Sequence, residues 1–284
     1  MTRYLITGAT GMLGRDLQTA LAGRDVTALV RSDLDVTDQG AVTAAVAGHD
    51  VIINCAAYTK VDDAETNEDE AYAVNAVGPR NLARAASASQ STLVQISTDY
   101  VFDGSATTPY AENTPHSPIS AYGRTKAAGE DFVTAENGLR SYIVRTAWLY
   151  GKNGPNFAKT MLKAAGTRDT LNVVTDQVGQ PTWTVDLAAQ IVLLLDSGAP
   201  AGVYHGTNSG VASKFDQARD VFALAGLDPE RVLPTDSSAF VLPAPRPAYS
   251  VLGHDSWTAA GLAPMRTWQQ AQAEAFAAGV FETA

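Results

Sequence analysis

Apolar residues fall along the chain in short runs separated by longer amphipathic stretches, the alternation expected of strands and helices in a parallel sheet covered on both faces. Arg3 to Thr7 is a short β-rich run, and Arg15–Ala22 behind it is amphipathic. Val26 to Val30, Val51–Ala56, Thr92 to Ser97 and Ser141–Thr146 are further strand candidates. Val51–Ala56 is apolar without a break, as a strand buried on both sides requires. Helices are expected from about Asn67 to Ala88 and from Ser120 to about Glu136, the second preceded by a long Pro/Ser/Thr-rich loop from Ser105 to Pro118. After Gly151 the rhythm changes. Asn156–Ala165 reads as a helix, Leu171–Thr175 as a strand, Val185–Leu195 as an apolar helix, Gly202–His205 as a strand and Phe215–Ala225 as a helix. A proline-rich segment, Leu242 to Pro247, then leads to a last helix over Thr267–Ala278. The fold class is therefore α/β: a doubly wound parallel sheet of the Rossmann type with a smaller C-terminal part. Residues 1–150 are expected to form the dinucleotide-binding domain. Residues 151–284 should form mainly a substrate-binding part, interleaved with the last strands of the sheet.

Composition narrows the classes of function. With 45% hydrophobic and 18% charged residues over 284 positions, the chain is globular rather than disordered. A net charge of −10 without any Lys/Arg run argues against nucleic acid as a partner, since phosphate neutralisation needs clustered cations. A nucleotide ligand is still compatible, because backbone N–H groups and one or two arginines can hold it. Cys55, the single cysteine, sits inside an apolar run and reads as a small buried hydrophobe. His49, His116, His205 and His254 are scattered without ligand spacing, so no metal site is assigned. No apolar run approaches the roughly 18 residues of a membrane span and no leader precedes the first strand, so a cytoplasmic protein without a membrane partner is expected.

Candidate chemistry begins at Gly8-Ala9-Thr10-Gly11-Met12-Leu13-Gly14, between the first strand and its helix. In that context Gly8 permits a tight turn, Gly11 lets the backbone approach a pyrophosphate and Gly14 lets helix and strand pack closely. Glycines are also common in plain turns. The second strand ends in Val30-Arg31-Ser32, where NAD-binding chains place an acidic residue on the ribose. Arg31 and Ser32 suit a 2′-phosphate, favouring NADPH with NADH still possible; Arg31 as a plain surface residue is the alternative. Asp35 and Val36 could contact the adenine. Ala56-Ala57-Tyr58-Thr59 could carry the nicotinamide half against the backbone. Asp62, Asp63 and Glu65 read as charges at a helix start.

Tyr122 and Lys126 lie four residues apart, on one face of the helix that Ser120 would begin. A fixed ammonium beside a phenol favours the phenolate, so Lys126 is expected to lower the pKa of Tyr122. Thr98, at the carboxyl end of its strand, would hydrogen-bond the substrate oxygen that Tyr122 protonates. Tyr-x-x-x-Lys alone arises by chance in many helices; the glycine loop upstream gives it weight.

Taken together, these residues resemble the extended short-chain dehydrogenase/reductase family, and within it the reductases of 4-keto sugar nucleotides. The match runs nearly end to end, through Ser97–Phe102, Tyr122–Lys126, Arg145–Trp148, Asn156–Met161, Asp176-Gln177 with Gly179 through Thr182, and Arg246-Pro247. The resemblance implies reduction of a dTDP-linked 4-keto sugar to dTDP-L-rhamnose, with hydride from NADPH or NADH and a proton from Tyr122. Lys126 would also hold the nicotinamide ribose, and Thr98 with Asp99 would meet the substrate. Trp148 would pack on the sugar ring, and Asn156 and Arg246 would serve the nucleotide half. Some members dimerise through magnesium held by glutamates; Asp16 and Val185 stand at two such positions, and valine cannot ligate a metal. Magnesium is therefore not assigned, and a monomer or weak homodimer is expected. Two other readings are a reductase of another NDP-4-ketohexose and a non-catalytic NADP-binding regulatory subunit. The intact Thr98, Tyr122 and Lys126 argue against the latter.

Overall fold

In the computed structural model, which describes residues 1–281, every strand candidate of the first half becomes a strand. The chain runs β1 (Arg3–Thr7), α1 (Met12–Ala20), β2 (Asp25–Leu29), α2 (Gln39–Val46), β3 (Val51–Asn54), α3 (Glu68–Tyr72), α4 (Gly78–Ala88), β4 (Thr92–Thr98), α5 (Ala121–Thr134) and β5 (Arg140–Thr146). The second half supplies β6 (Leu149–Tyr150), α6 (Phe157–Ala165), β7 (Leu171–Val174), β8 (Val178–Gly179), β9 (Thr182–Trp183), α7 (Thr184–Ser197) and β10 (Gly202–His205). After these come β11 (Ala212–Ser213), α8 (Lys214–Leu224), β12 (Val232–Thr235), α9 (Asp255–Ala259) and α10 (Trp268–Ala277). Residues 282–284, the tail of the expected second part, lie outside the described residues.

Six strands form one parallel sheet in the order β10-β5-β4-β3-β1-β2, the doubly wound architecture expected. The period-two alternation of strand side chains sorts its two faces. Ile6, Ile53, Val94 and Val144 pack with Leu13 and Leu17 of α1 and Leu187, Ile191 and Leu194 of α7. Their neighbours Leu5, Ile52, Leu93 and Ile143 pack on the other side with Val42 and Val46 of α2, Leu82 of α4 and Val133 of α5. The order reverses between β1 and β3, so the crevice beyond their carboxyl ends is where this class of sheet holds ligands. Outside this sheet, β6 pairs β9, β7 pairs β12, and β8 pairs β11 antiparallel, all in short two-stranded units.

Three differences from the sequence expectations have physical causes. The helix expected over 67–88 is broken by one π-helical turn, Ala73–Val77, between α3 and α4. Asn75 in that turn sends its side chain inward to the backbone of Tyr58 and to Thr125 rather than to solvent. Its carbonyl sits where a Cβ on Gly129 would come within 2.2 Å, and Pro79 follows at the start of α4. Helix α1 starts at Met12 rather than Arg15, because the glycine turn closes as early as Gly11, whose N–H donates to the Gly8 carbonyl. Helix α2, capped by Asp38 on the Ala41 N–H, was not expected; its Gln39-Gly-Ala-Val-Thr-Ala-Ala-Val sequence carries little periodic signal.

Candidate active site

The crevice at the switch point is a cleft of about 540 Å³. Gly8, at φ +65°, forms one wall: a Cβ there would meet Ala56 N at 2.6 Å and the Cys55 carbonyl at 2.7 Å. The loop therefore lies directly on the end of β3, and only glycine fits. Gly14 serves the packing role expected of it, since a Cβ would lie 2.6 Å from the Gly8 carbonyl oxygen. No side chain caps the N-terminus of α1, whose N-cap is Gly11, so its first N–H groups face the cleft with the positive end of the helix dipole. Gly11, Arg31, Asp35, Val36, Ala56, Ala57, Tyr58 and Thr59 line the same cleft. Met12 and Leu13 begin α1 below the turn, with Leu13 in the core. Ser32 is exposed beside Arg31, its hydroxyl turned to Asp33 at 3.4 Å. Asp35 Oδ1 already accepts from the Thr37 N–H and hydroxyl, which hold this carboxyl below the usual range.

Asn75 ties the Ala56–Thr59 end of this cleft to α5. Its amide spans the Tyr58 N–H (2.8 Å) and carbonyl (3.1 Å) and reaches Thr125 at 3.1 Å, whose hydroxyl bonds the Tyr122 carbonyl at 2.9 Å. Sequence reasoning missed Asn75; the signal was a polar residue inside the apolar run Ala73-Val74-Asn75-Ala76-Val77, directly before Gly-Pro.

Ser120 caps α5 on the Gly123 N–H, and Glu65 accepts from the Ala121 N–H at 2.8 Å, placing a carboxylate at the positive helix end. The Tyr122 ring meets Tyr100 edge-on at 5.5 Å. Burial pushes the Tyr122 phenol up to about 12; the Thr98 hydroxyl beside it pulls down, and the Asp99 charge adds to the rise. This corrects the expectation that Lys126 lowers the tyrosine. The Lys126 ammonium turns instead to the Ile96 carbonyl at 2.6 Å, and burial lowers it to about 8 against the opposing charges of Glu130 and Cys55. Tyr122 is thus held in its protonated form, the state a proton donor needs.

Thr98 ends β4 with its hydroxyl on Asp99 Oδ1 at 2.9 Å, while accepting from the Tyr100 N–H at 3.2 Å. Asp99 is 2% exposed, and burial raises its carboxyl to about 6. Trp148 adopts a left-handed backbone, φ +46°, that aims its ring toward Gly179, where a Cβ would sit 2.8 Å from the indole. One face of that ring is covered by the Lys214 ammonium, 3.3 Å from its centroid, a cation the sequence reading did not single out. Two expected substrate residues are engaged elsewhere. Asn156 is the N-cap of α6: its Oδ1 takes the Lys159 N–H and its Nδ2 the Gly151 carbonyl. Arg246 pairs with Asp62 at 2.7 Å and bonds the Ala244 carbonyl, tying the proline-rich segment across to the Tyr58–Glu65 loop. Asp16 is half-buried with Oδ2 unpartnered, and Val185 is exposed; among the described residues no three His, Cys, Asp or Glu side chains converge as a metal site.

Farther along α5, Glu130 forms a buried ion pair with Arg145, 2.7 Å at the closest, joined by His116 and by the Ser97 hydroxyl. Burial raises the Glu130 carboxyl, but the bonds from His116, Arg145 and Ser97 outweigh it and hold it down to about 2.

Comparison with known proteins gives concordant findings. The family model described as RmlD substrate binding domain matches residues 2–280. The dTDP-4-dehydrorhamnose reductase of Streptomyces griseus is 51% identical over 284 residues, covering 97% of this chain and 93% of that one. A probable dTDP-4,6-dihydroxy-2-methyloxan-3-one 4-ketoreductase of Streptomyces antibioticus is also 51% identical, over 96% of this chain and 94% of its own. Among solved structures, dTDP-4-dehydrorhamnose reductase of Bacillus anthracis in complex with NADP superposes with a TM-score of 0.92 at 39% identity, over 98% of this chain and 99% of that one.

Proposed function

The chain belongs to the RmlD substrate binding domain family, and from that premise we propose that it reduces dTDP-4-dehydro-β-L-rhamnose to dTDP-L-rhamnose. NADPH, with NADH as a second choice, supplies the hydride when bound in the cleft between β1 and β3. The observation that carries this reading is the meeting of Tyr122 and Thr98 at the carboxyl end of β4, separated by β3 alone from β1 and its glycine turn, where only glycine fits against the neighbouring backbone.

Residue roles follow from the chemistry. The ketone oxygen gains negative charge as hydride arrives, and Tyr122 donates the proton that neutralises it. A phenol held near 12 is fully protonated at neutral pH and ready to give. Thr98, aligned by Asp99, orients that oxygen, and Lys126 holds the ribose end of the cofactor. Gly8, Gly11 and the start of α1 carry the pyrophosphate, and Arg31 stands at the lip where a 2′-phosphate would lie. We assign dinucleotide binding to residues 1–150 and substrate binding mainly to residues 151–284, and place the reaction in the cytoplasm, where nucleotide sugars are made.

A second reading keeps the chemistry and changes the hexose, because the Streptomyces antibioticus 4-ketoreductase is as similar as the Streptomyces griseus enzyme. The test is NADPH oxidation by the purified protein with dTDP-4-dehydro-β-L-rhamnose, with and without EDTA, followed by identification of the product. Formation of dTDP-L-rhamnose supports the proposal. Turnover only of a different dTDP-4-keto sugar moves it to the second reading, and cofactor binding without any turnover sinks both.

A further inference from the structure

We propose that Lys214 is a substrate-binding residue whose ammonium receives the phosphate adjoining the hexose of the nucleotide sugar. The inference rests on the functional reading above and adds a residue to it.

Lys214 opens α8, and the capping box of Ser213 and Asp216 fixes that first turn. Its own N–H donates to the Gln177 carbonyl at 3.1 Å, so the backbone position is set from two sides. The ammonium then lies 3.3 Å from the centroid of Trp148 and 4.8 Å from that of Phe157. Among the described residues no oxygen accepts from it: its contacts are aromatic, and all three donors are available. An ammonium resting on an aromatic face is held more weakly than one making charge-assisted hydrogen bonds to a phosphate. A half-buried cation without an acceptor, at the mouth of a site for an anionic substrate, is a group awaiting its counter-ion.

Placement favours the sugar-linked phosphate. Lys214 lies within electrostatic reach of Asp99, at the Thr98–Tyr122 corner, and of Arg246 on the proline-rich segment. A hexose reduced at that corner carries its phosphate about a ring's width away, on the far side of the sugar from the ketone. Arg246 is already engaged by Asp62 and the Ala244 carbonyl, whereas Lys214 has no acidic partner in contact. Burial lowers the ammonium to about 7, with Asp99 raising and Arg246 lowering it, so an arriving phosphate would also secure its charge.

The experiment compares wild type, Lys214→Gln and Lys214→Arg as full chains, with dTDP as the probe and calorimetry as the readout. Lys214→Gln is expected to bind dTDP roughly tenfold weaker or worse, Lys214→Arg to recover most of that loss, and NADPH affinity to stay unchanged in both. In turnover the loss should fall on KM for the sugar nucleotide, with kcat within a few-fold. Equal dTDP affinity in wild type and Lys214→Gln overturns the proposal, as does a matching loss in NADPH affinity. Should Lys214→Gln fail to fold, lysine acetylation of the wild type read by mass spectrometry decides: dTDP must slow modification of Lys214 several-fold, and unchanged labelling overturns the assignment. Wild type that binds dTDP through Lys214 yet reduces no dTDP-4-keto sugar would sink the functional reading and leave this inference standing.

Discussion

At the scale of single residues, the site depends on how burial distributes protons. Tyr122 stays protonated because its phenol is pushed up to about 12, so loss of the donor proton does not limit activity in the ordinary range. The group that titrates nearby is Lys126, lowered to about 8. Above that value its charge is lost, so kcat is expected to fall on the basic side with an apparent pKa near 8, measured in a pH–rate profile. A basic limb near 10 or above would assign it to Tyr122 instead. At the cofactor lip, Arg31→Ala is expected to raise KM for NADPH about tenfold or more while leaving KM for NADH nearly unchanged, because only the former carries a phosphate there. The placement of Thr98 at the end of β4 and of Tyr122 and Lys126 on α5 was legible, because their spacing is local and their strand and helix are strongly patterned. The direction of the tyrosine's shift was not legible. It depends on which way Lys126 points, and the Ile96 carbonyl that captures it is 30 residues away in sequence. Lys214 was missed for the same reason: nothing in Ala212-Ser213-Lys214-Phe215 reveals that Trp148 will lie beneath the ammonium.

At the scale of elements, α5 is positioned by close backbone approach. Gly129 lies against the Asn75 carbonyl and Gly123 against the Tyr100 carbonyl, each leaving only 2.2 Å for a Cβ. Gly129→Ala is expected to push α5 off the π turn, lower the melting temperature by several degrees and reduce kcat more than it changes KM for NADPH. Thermal denaturation and steady-state kinetics on one variant check both. The Glu130–Arg145 pair anchors the far side of the same helix. Removing one partner of a buried pair leaves an uncompensated charge, so Glu130→Gln is expected to cost about 3–5 kcal/mol. The fold holds the Glu130 carboxyl at about 2, against about 4.3 when unfolded, so the unfolded chain takes up the proton first. That stabilisation is complete above about 4.3 and disappears as pH falls toward 2. His205, lowered to about 3 by burial and then by Arg145, acts in the same sense from about 6.5 downward. His116, raised by its bond to Glu130, and Asp99, raised by burial, act in the opposite sense, so the readout is the difference between proteins. In denaturant unfolding from pH 7 to pH 3 the stability gap between wild type and Glu130→Gln should narrow as pH falls below about 4.3. Most element positions were readable from periodicity. The broken helix and α2 were not, because a π turn is set by a tertiary partner and an alanine-rich octet has almost no polar face.

At the scale of the whole molecule, the two halves share one sheet. Strand β10 completes its far edge beside β5, and α7 packs on α1, so residues well past 150 finish the first layer. A fragment ending at residue 150 would expose the β5 edge and the α1 face; it is expected to lack a cooperative thermal transition, tested by circular dichroism. The strand Gly202–His205 and the apolar helix before it were legible as elements, but their pairing partners were not, since register across about 60 residues leaves no local signal. The halves meet again where Arg246 reaches Asp62, tying the proline-rich segment to the loop that follows β3. All of this structure serves one claim, that a protonated phenol at the end of β4 delivers the proton of an NADPH-driven ketone reduction. The direct measurement is the single-turnover rate of NADPH oxidation with dTDP-4-dehydro-β-L-rhamnose by wild type and by Tyr122→Phe, at matched cofactor occupancy. The account expects the variant to bind NADPH normally and react about 10²–10⁴-fold more slowly. A Tyr122→Phe enzyme that turns over at the wild-type rate would contradict it.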